Sequence, residues 1–305
     1  MKLTLEKAKE IMKQNNGNLV INDPNITELP EGLAVVDGDL QLRHSGIEKI
    51  SVDLNVKGKV DFSWTKVIKI EGNLHSDKEI NFDFSLPTIL KSVDAPRITL
   101  ERLSIASGDT LEKLKCDTLI ISGCTIEKMP QELTAHNNIS IFETNIMDAP
   151  ALFTVDGNFN VNDCAVQKVP EKLVVKGKCS YVAAKSAFPK ELEVESIRLL
   201  HTTAMTKPEK FIVSQNAYLT GAAIDLPDDA SIGGNLDLQF AKVKKLPKNL
   251  YVGENLDIRD TALSFSSIPK SAVVEGTVVT DYGHIENYNE TLKKKSHKKE
   301  TELEL

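Results

Sequence analysis

The chain has 305 residues, 41% of them apolar and only 5% aromatic, with a net charge of −7. The acidic balance argues against general binding to nucleic-acid phosphates, which draws its affinity from Lys and Arg. No apolar run reaches the roughly 18 residues that a membrane span requires.

The first expected element is a helix. Leu5, Ala8, Ile11 and Met12 fall at helical intervals, and Asn15-Asn16-Gly17 supplies a stop, so residues 1–17 are read as a helix that caps the first repeat of the chain. Glu6 and Glu10 argue against a targeting peptide, and the start lacks the apolar stretch of a secretory signal. These features predict a cytoplasmic protein, or one exported without a classical signal peptide.

From Leu19 onward the chain writes an apolar-x-apolar pair fourteen times, with copies 18 to 21 residues apart. The first member of the pair is Leu19, Leu40, Val60, Ile80, Ile98, Leu119, Ile139, Phe159, Cys179, Ile197, Ala217, Leu236 and Leu256, with a faded last copy at Thr277 and its partner Val279. The period-2 alternation is that of a strand with one buried face. Return legs carry their own apolar pairs, such as Leu33/Val35, Leu54/Val56, Leu173/Val175, Leu192/Val194, Phe211/Val213 and Leu250/Val252. A unit this short cannot bury its own apolar face and must stack on its neighbours. Residues 18–280 are therefore expected to form one β-rich solenoid of about 14 coils, with Gly38, Gly58, Gly157, Gly177 and Gly234 closing coils through their freedom to take positive φ. The stretch from Gly72 to Pro96 reads irregularly, because Leu86-Pro87 slips out of phase. After residue 280 the pattern stops, and 281–305, with Lys293-Lys294-Lys295 and Lys298-Lys299, reads as a charged, disordered tail.

Leu246-Pro247-Lys248-Asn249-Leu250-Tyr251-Val252-Gly253-Glu254-Asn255-Leu256-Asp257-Ile258 resembles the leucine-rich-repeat family. It is most similar to the short repeats of about 20 residues, L-P-x-x-L-x-V-x-G-x-L-x-L-x-x-T-x-I, found in bacterial effectors and in bacterial and phage repeat proteins. The resemblance implies a right-handed coil with a long parallel β-sheet. It also implies a noncatalytic scaffold, with an effector that binds and modulates a host protein as its sharpest form. One departure opens an alternative: where the family places Asn, this chain has Ser45, Thr65, Ser85, Leu103, Cys124, Thr144, Cys164, Ala184, Thr202, Ala222, Ala241 and Thr261. Without that Asn ladder, a parallel β-helix is the competing architecture. Other Asn residues, among them Asn138, Asn158, Asn216, Asn235 and Asn255, recur on the outward side and are expected to bond to one another along the stack.

Catalytic chemistry is sparse. Cys124, Cys164 and Cys179 fall in core columns, Cys116 stands apart, and no C-x-x-C or H-E-x-x-H spacing occurs, so neither metal nor cofactor is expected. A carbohydrate-binding or polysaccharide-cleaving β-helix is the alternative function, with Asp237 and Asp257 as neighbouring outward carboxylates. What remains is surface. Just before the small residue stand His44, Trp64, Phe84 and Arg102 in four consecutive coils, and Trp64 is the chain's sole tryptophan. Trp and Arg are enriched at interface hot spots. A second outward group comprises Phe142, Val182, Leu200, His201, Tyr218 and Phe240. The expected partner is a protein, bound by a monomer, with no nucleic acid and no membrane.

Overall fold

The computed structural model is a β-solenoid of about 13 turns with a long parallel sheet and almost no helix. The structure describes residues 2–66, 69–85, 87–106, 108–149 and 152–290. They form two compact units: unit 1 holds residues up to Asn158 together with Asp163–Pro170, and unit 2 holds Phe159–Asn162 and the described residues from Glu171 on.

One turn of unit 1 shows how the residues make the coil. A front leg, residues 118–122 at the end of strand Thr110–Ser122, alternates buried Leu119 and Ile121 with outward Ile120 and Ser122. A corner at Gly123 leads to a two-residue leg, Thr125–Ile126. The return leg opens strand Glu132–Phe142, with Leu133 and Ala135 buried, and the same strand bends into the next front leg. A register shift between Cys116 and Thr118 accommodates that bend, since two residues of one rung oppose one of the other. Each fully buried aliphatic side chain contributes about 1.5–3 kcal/mol of burial, so a few inward positions per turn suffice once neighbours cover them.

The front legs pair in parallel and in phase. In unit 1 the register runs Leu19↔Leu40↔Val60↔Ile80↔Ile98↔Leu119↔Ile139. In unit 2 it runs Phe159↔Cys179↔Ile197↔Ala217↔Leu236↔Leu256↔Val278. The last partner is Val278 rather than Thr277. That coil contains an extra 3-10 turn, Phe265–Ser267, which lengthens it and moves Val278 and Thr280 inward in place of Thr277 and Val279. The first return leg also slips by one, for Val36 is buried and pairs with Val56, whereas Val35 is 43% exposed. Residues 72–96, irregular in sequence, keep the ladder, with Leu74↔Val93 and Ile80↔Ile98 in register; Leu86 lies outside the described residues.

Short second legs pair separately: Ser104–Ile105, Thr125–Ile126, Asn145–Ile146 and Ala165–Val166 in unit 1, and Lys185–Ser186 with Thr203–Ala204 in unit 2. Turns that carry this third strand leg match the geometry of a parallel β-helix, the architecture left open by the missing Asn column, whereas the turns from Leu236 to Val274 have front and return strands only.

The coil-closing glycines do not serve the purpose expected of them. Gly38, Gly58, Gly157 and Gly234 do not take positive φ. They are needed because the preceding turn passes too close: a Cβ on Gly58 would lie 2.1 Å from Asp39 Oδ1 and 2.6 Å from the Gly38 carbonyl carbon. Beside them runs a ladder of Asn and Asp side chains. Asn18 Oδ1 accepts from Asp39 N at 2.7 Å, and Asp39 Oδ1 accepts from Lys59 N at 2.8 Å. In unit 2, Asn216 Oδ1 accepts from Asn235 N, Asn235 Oδ1 from Asn255 N and Asn255 Oδ1 from Thr277 N. Asn138 and Asn158 form the same pair in unit 1.

Both ends carry extra elements. Helix α1, Leu5–Gln14, is N-capped by Thr4, whose side chain accepts from Lys7 N, and it buries Ala8 against the first turn. Gly17, at φ 89°, ends it by donating to Met12 O. At the other end Val278–Thr280 reverses and pairs antiparallel with Gly283–Ile285. The first ten residues of the expected tail are thus part of the described structure, and 291–305 lie outside it.

Candidate binding surfaces

The corners after the front legs from Leu40 to Leu256 repeat one backbone conformation. His44, Trp64, Phe84, Arg102, Gly123, Glu143 and Asp163 in unit 1, and Ala183, His201, Gly221, Phe240 and Asp260 in unit 2, all have φ between 47° and 66°. Only two of these are glycine. For other residues this left-handed conformation costs about 1–2 kcal/mol each. The corner offsets the cost by continuing the ladder: Trp64 N donates to Asp83 O at 2.9 Å, Phe84 N to Glu101 O at 3.2 Å and Arg102 N to Ser122 O at 2.9 Å. The following small residue tucks inside, where Thr65 Oγ1 donates to Phe62 O and Thr144 Oγ1 to Phe142 O.

Where the corner residue is not glycine its side chain lies on the outer surface, and four consecutive corners in unit 1 build a stack. The His44 and Trp64 ring centroids are 6.4 Å apart, those of Trp64 and Phe84 4.2 Å apart at 26°, and the Arg102 guanidinium lies 4.3 Å from the Phe84 centroid. Arg102 is held there by Asp83, at 3.0 Å from Nε and 2.6 Å from Nη2, with Glu101 at 3.4 Å. Its hydrogen bonding to Asp83 raises the Arg102 pKa further above its ordinary value. Trp64 and Phe84 remain 49% and 40% exposed. A continuous aromatic and cationic row with an acidic margin is preordered for contact, since its side chains have little rotamer freedom left to lose.

The second expected group does not converge in this way. Phe142 belongs to unit 1 and the other five to unit 2. Val182 and Leu200 are half-buried ends of front legs, Tyr218 is in the middle of one, and His201 and Phe240 occupy corners. Among the described residues no ring contact joins them. His201 instead lies over Gly221, where a Cβ would approach its Nδ1 to 2.8 Å.

Asp237 and Asp257 are register partners, and both carboxylates are engaged. Asp237 Oδ1 accepts from Gln239 N, while Asp257 accepts from Arg259 Nε and Nη2 and from Gln239 Nε2. All four cysteines are buried free thiols, and burial pushes Cys116 up to about 12 and Cys179 higher still. Among the described residues no group of His, Cys, Asp or Glu could hold a metal ion, and no helix is long and apolar enough to cross a membrane.

A groove on the front face of unit 2 brings together residues that the sequence places in separate groups, Tyr218 in the second outward group and Asn160 and Asn216 among the outward asparagines. Asn160, Ser180, Arg198 and Tyr218 occupy one outward column on four successive rungs, and the groove they line has a volume of about 460 Å³. The column arithmetic that located Trp64 would have aligned these four as well. Their chemical types differ, however, so no single residue class marked them. No known protein-family model, curated protein or solved structure matches this chain.

Proposed function

We propose that the protein is a noncatalytic protein-binding scaffold, and that its contact surface is the His44–Trp64–Phe84–Arg102 row. The observation that carries this reading is the 4.2 Å stack of two exposed rings, extended at one end by His44 and at the other by a guanidinium clamped to Asp83. Exposed aromatic and Arg side chains held rigidly are the groups that dominate interface energetics. The finer kinship with leucine-rich repeats of bacterial effectors and phage repeat proteins belongs to the same reading. On it, the protein acts in the cytoplasm, or after export without a classical signal, by binding and modulating a host protein. Its support is the Leu246–Ile258 motif.

The test is capture from lysates of the producing cell and of a host, read by quantitative mass spectrometry, with the unaltered chain beside a Trp64→Ala/Phe84→Ala variant. Removing two hot-spot rings weakens retention of the true partner by more than about 2 kcal/mol and leaves the circular dichroism spectrum unchanged. Equal retention of every captured protein by both chains removes this row as the contact surface.

A further inference from the structure

The groove on unit 2 differs in chemistry from the rest of the surface. The chain carries seven more acidic than basic residues, yet among the described residues Arg198 and Lys178 line this groove and no carboxylate does. Arg102 and Arg259 are each clamped by an aspartate. Arg198, by contrast, has neither an ion pair nor a side-chain hydrogen bond among the described residues, and it is exposed. One rung on, Tyr218 stands 44% exposed and is the groove's one aromatic ring among the described residues. Asn160 and Ser180 precede Arg198 on the same column, and Asn216 adds a second amide beside Tyr218. A volume of about 460 Å³ falls within the range of small-molecule sites.

We propose that this groove binds a sugar bearing a carboxylate. Arg198 offers the planar fork of N–H donors that matches a carboxylate. The open Tyr218 ring offers a flat apolar surface to the C–H face of a pyranose, with its hydroxyl at the wet edge. The Asn160 amide and the Ser180 hydroxyl supply both donors and acceptors, which sugar hydroxyls require, and Asn216, whose Oδ1 is taken by Asn235, adds its N–H donors. A nucleotide is the competing occupant, because its phosphate also matches an Arg fork, and it is therefore an arm of the test. The groove shares no residue with the His44–Arg102 row, so this inference stands or falls independently of the protein-binding reading.

The experiment is calorimetric titration of the full chain with trigalacturonic acid, its methyl ester, sialyllactose and AMP. Trigalacturonic acid binds saturably, and the ester, which lacks the charge, binds about tenfold or more weakly, the size of effect expected when a charge-assisted hydrogen bond is lost. Arg198→Met reproduces that loss with the acid. Tyr218→Ala weakens both ligands, and Arg43→Ala, an exposed arginine of unit 1, changes neither. Tighter binding of sialyllactose than of the uronate assigns the site to a terminal acidic sugar, and the reverse order to a uronate within a chain; either order supports the inference. Absence of saturable binding by both acidic sugars overturns it. So does equal affinity for acid and ester, tighter binding of AMP, or unchanged affinity in a folded Arg198→Met chain. The ester comparison needs no variant, so a substitution that misfolds leaves the inference open to refutation.

Discussion

At the residue scale the left-handed corner is the most informative position in the chain. Ten of its twelve occupants are not glycine, and none is β-branched. β-Branched side chains are the ones this conformation tolerates least. Ala183 is exposed and at φ 50°, so Ala183→Gly exchanges a left-handed penalty of about 1–2 kcal/mol for a glycine entropy cost of about 0.5–1 kcal/mol. The expected outcome is a gain of about 0.5 kcal/mol in chemical denaturation; a loss of stability would show that the corner's hydrogen bonds do not hold Ala183 as described. This position was half legible in the sequence. Its spacing could be read, which is how His44, Trp64, Phe84 and Arg102 were grouped, but its conformation could not. His, Trp, Phe, Arg, Glu and Asp share no local preference for positive φ, and the conformation is imposed by inter-turn bonds such as Trp64 N to Asp83 O. The glycines at the opposite corner were legible by position and misread in cause, since close approach of the backbone looks the same in sequence as a need for positive φ.

Among the elements, the strand ladder was legible and the ends only partly so. Leu119, Ile139 and their kin were found in phase because inward positions recur every second residue and every twentieth or so, and burial enforces both periods. Errors came where a coil changes length: Thr277 was placed inward because the extra turn at Phe265–Ser267 buries no residue and so adds no step to the apolar period. Helix α1 was legible from its periodicity, and it lies against the strand of the first turn, the placement expected of a cap. Ala8 is fully buried beneath it. Ala8→Asp places a charge in that contact, so the expected outcome is a lower melting temperature and concentration-dependent association, monitored by light scattering on a sizing column. An unchanged melting temperature and mass would show that the helix does not serve as a cap.

For the whole molecule, the two candidate surfaces are assigned to different units: the aromatic row to unit 1 and the Arg198 groove to unit 2. Substitutions with no shared partners are additive to within a few tenths of a kcal/mol. Trp64→Ala/Phe84→Ala should therefore leave uronate affinity unchanged, and Arg198→Met should leave protein capture unchanged. Measuring both ligands on both variants checks this, and cross-effects above about 0.5 kcal/mol would mean that the surfaces act together.

The outward corner also bears on how such a chain acquires new specificity. Its geometry comes from main-chain bonds between turns, and its inward neighbour supplies the burial, so among residues without a β-branch the occupant's identity is little constrained by folding. Mutation can rewrite the exposed row one rung at a time, as the passage from Trp64 and Phe84 to Glu143, Asp163 and Ala183 already illustrates. A lineage built this way would diverge fastest at the residues that meet its targets while its scaffold stood still.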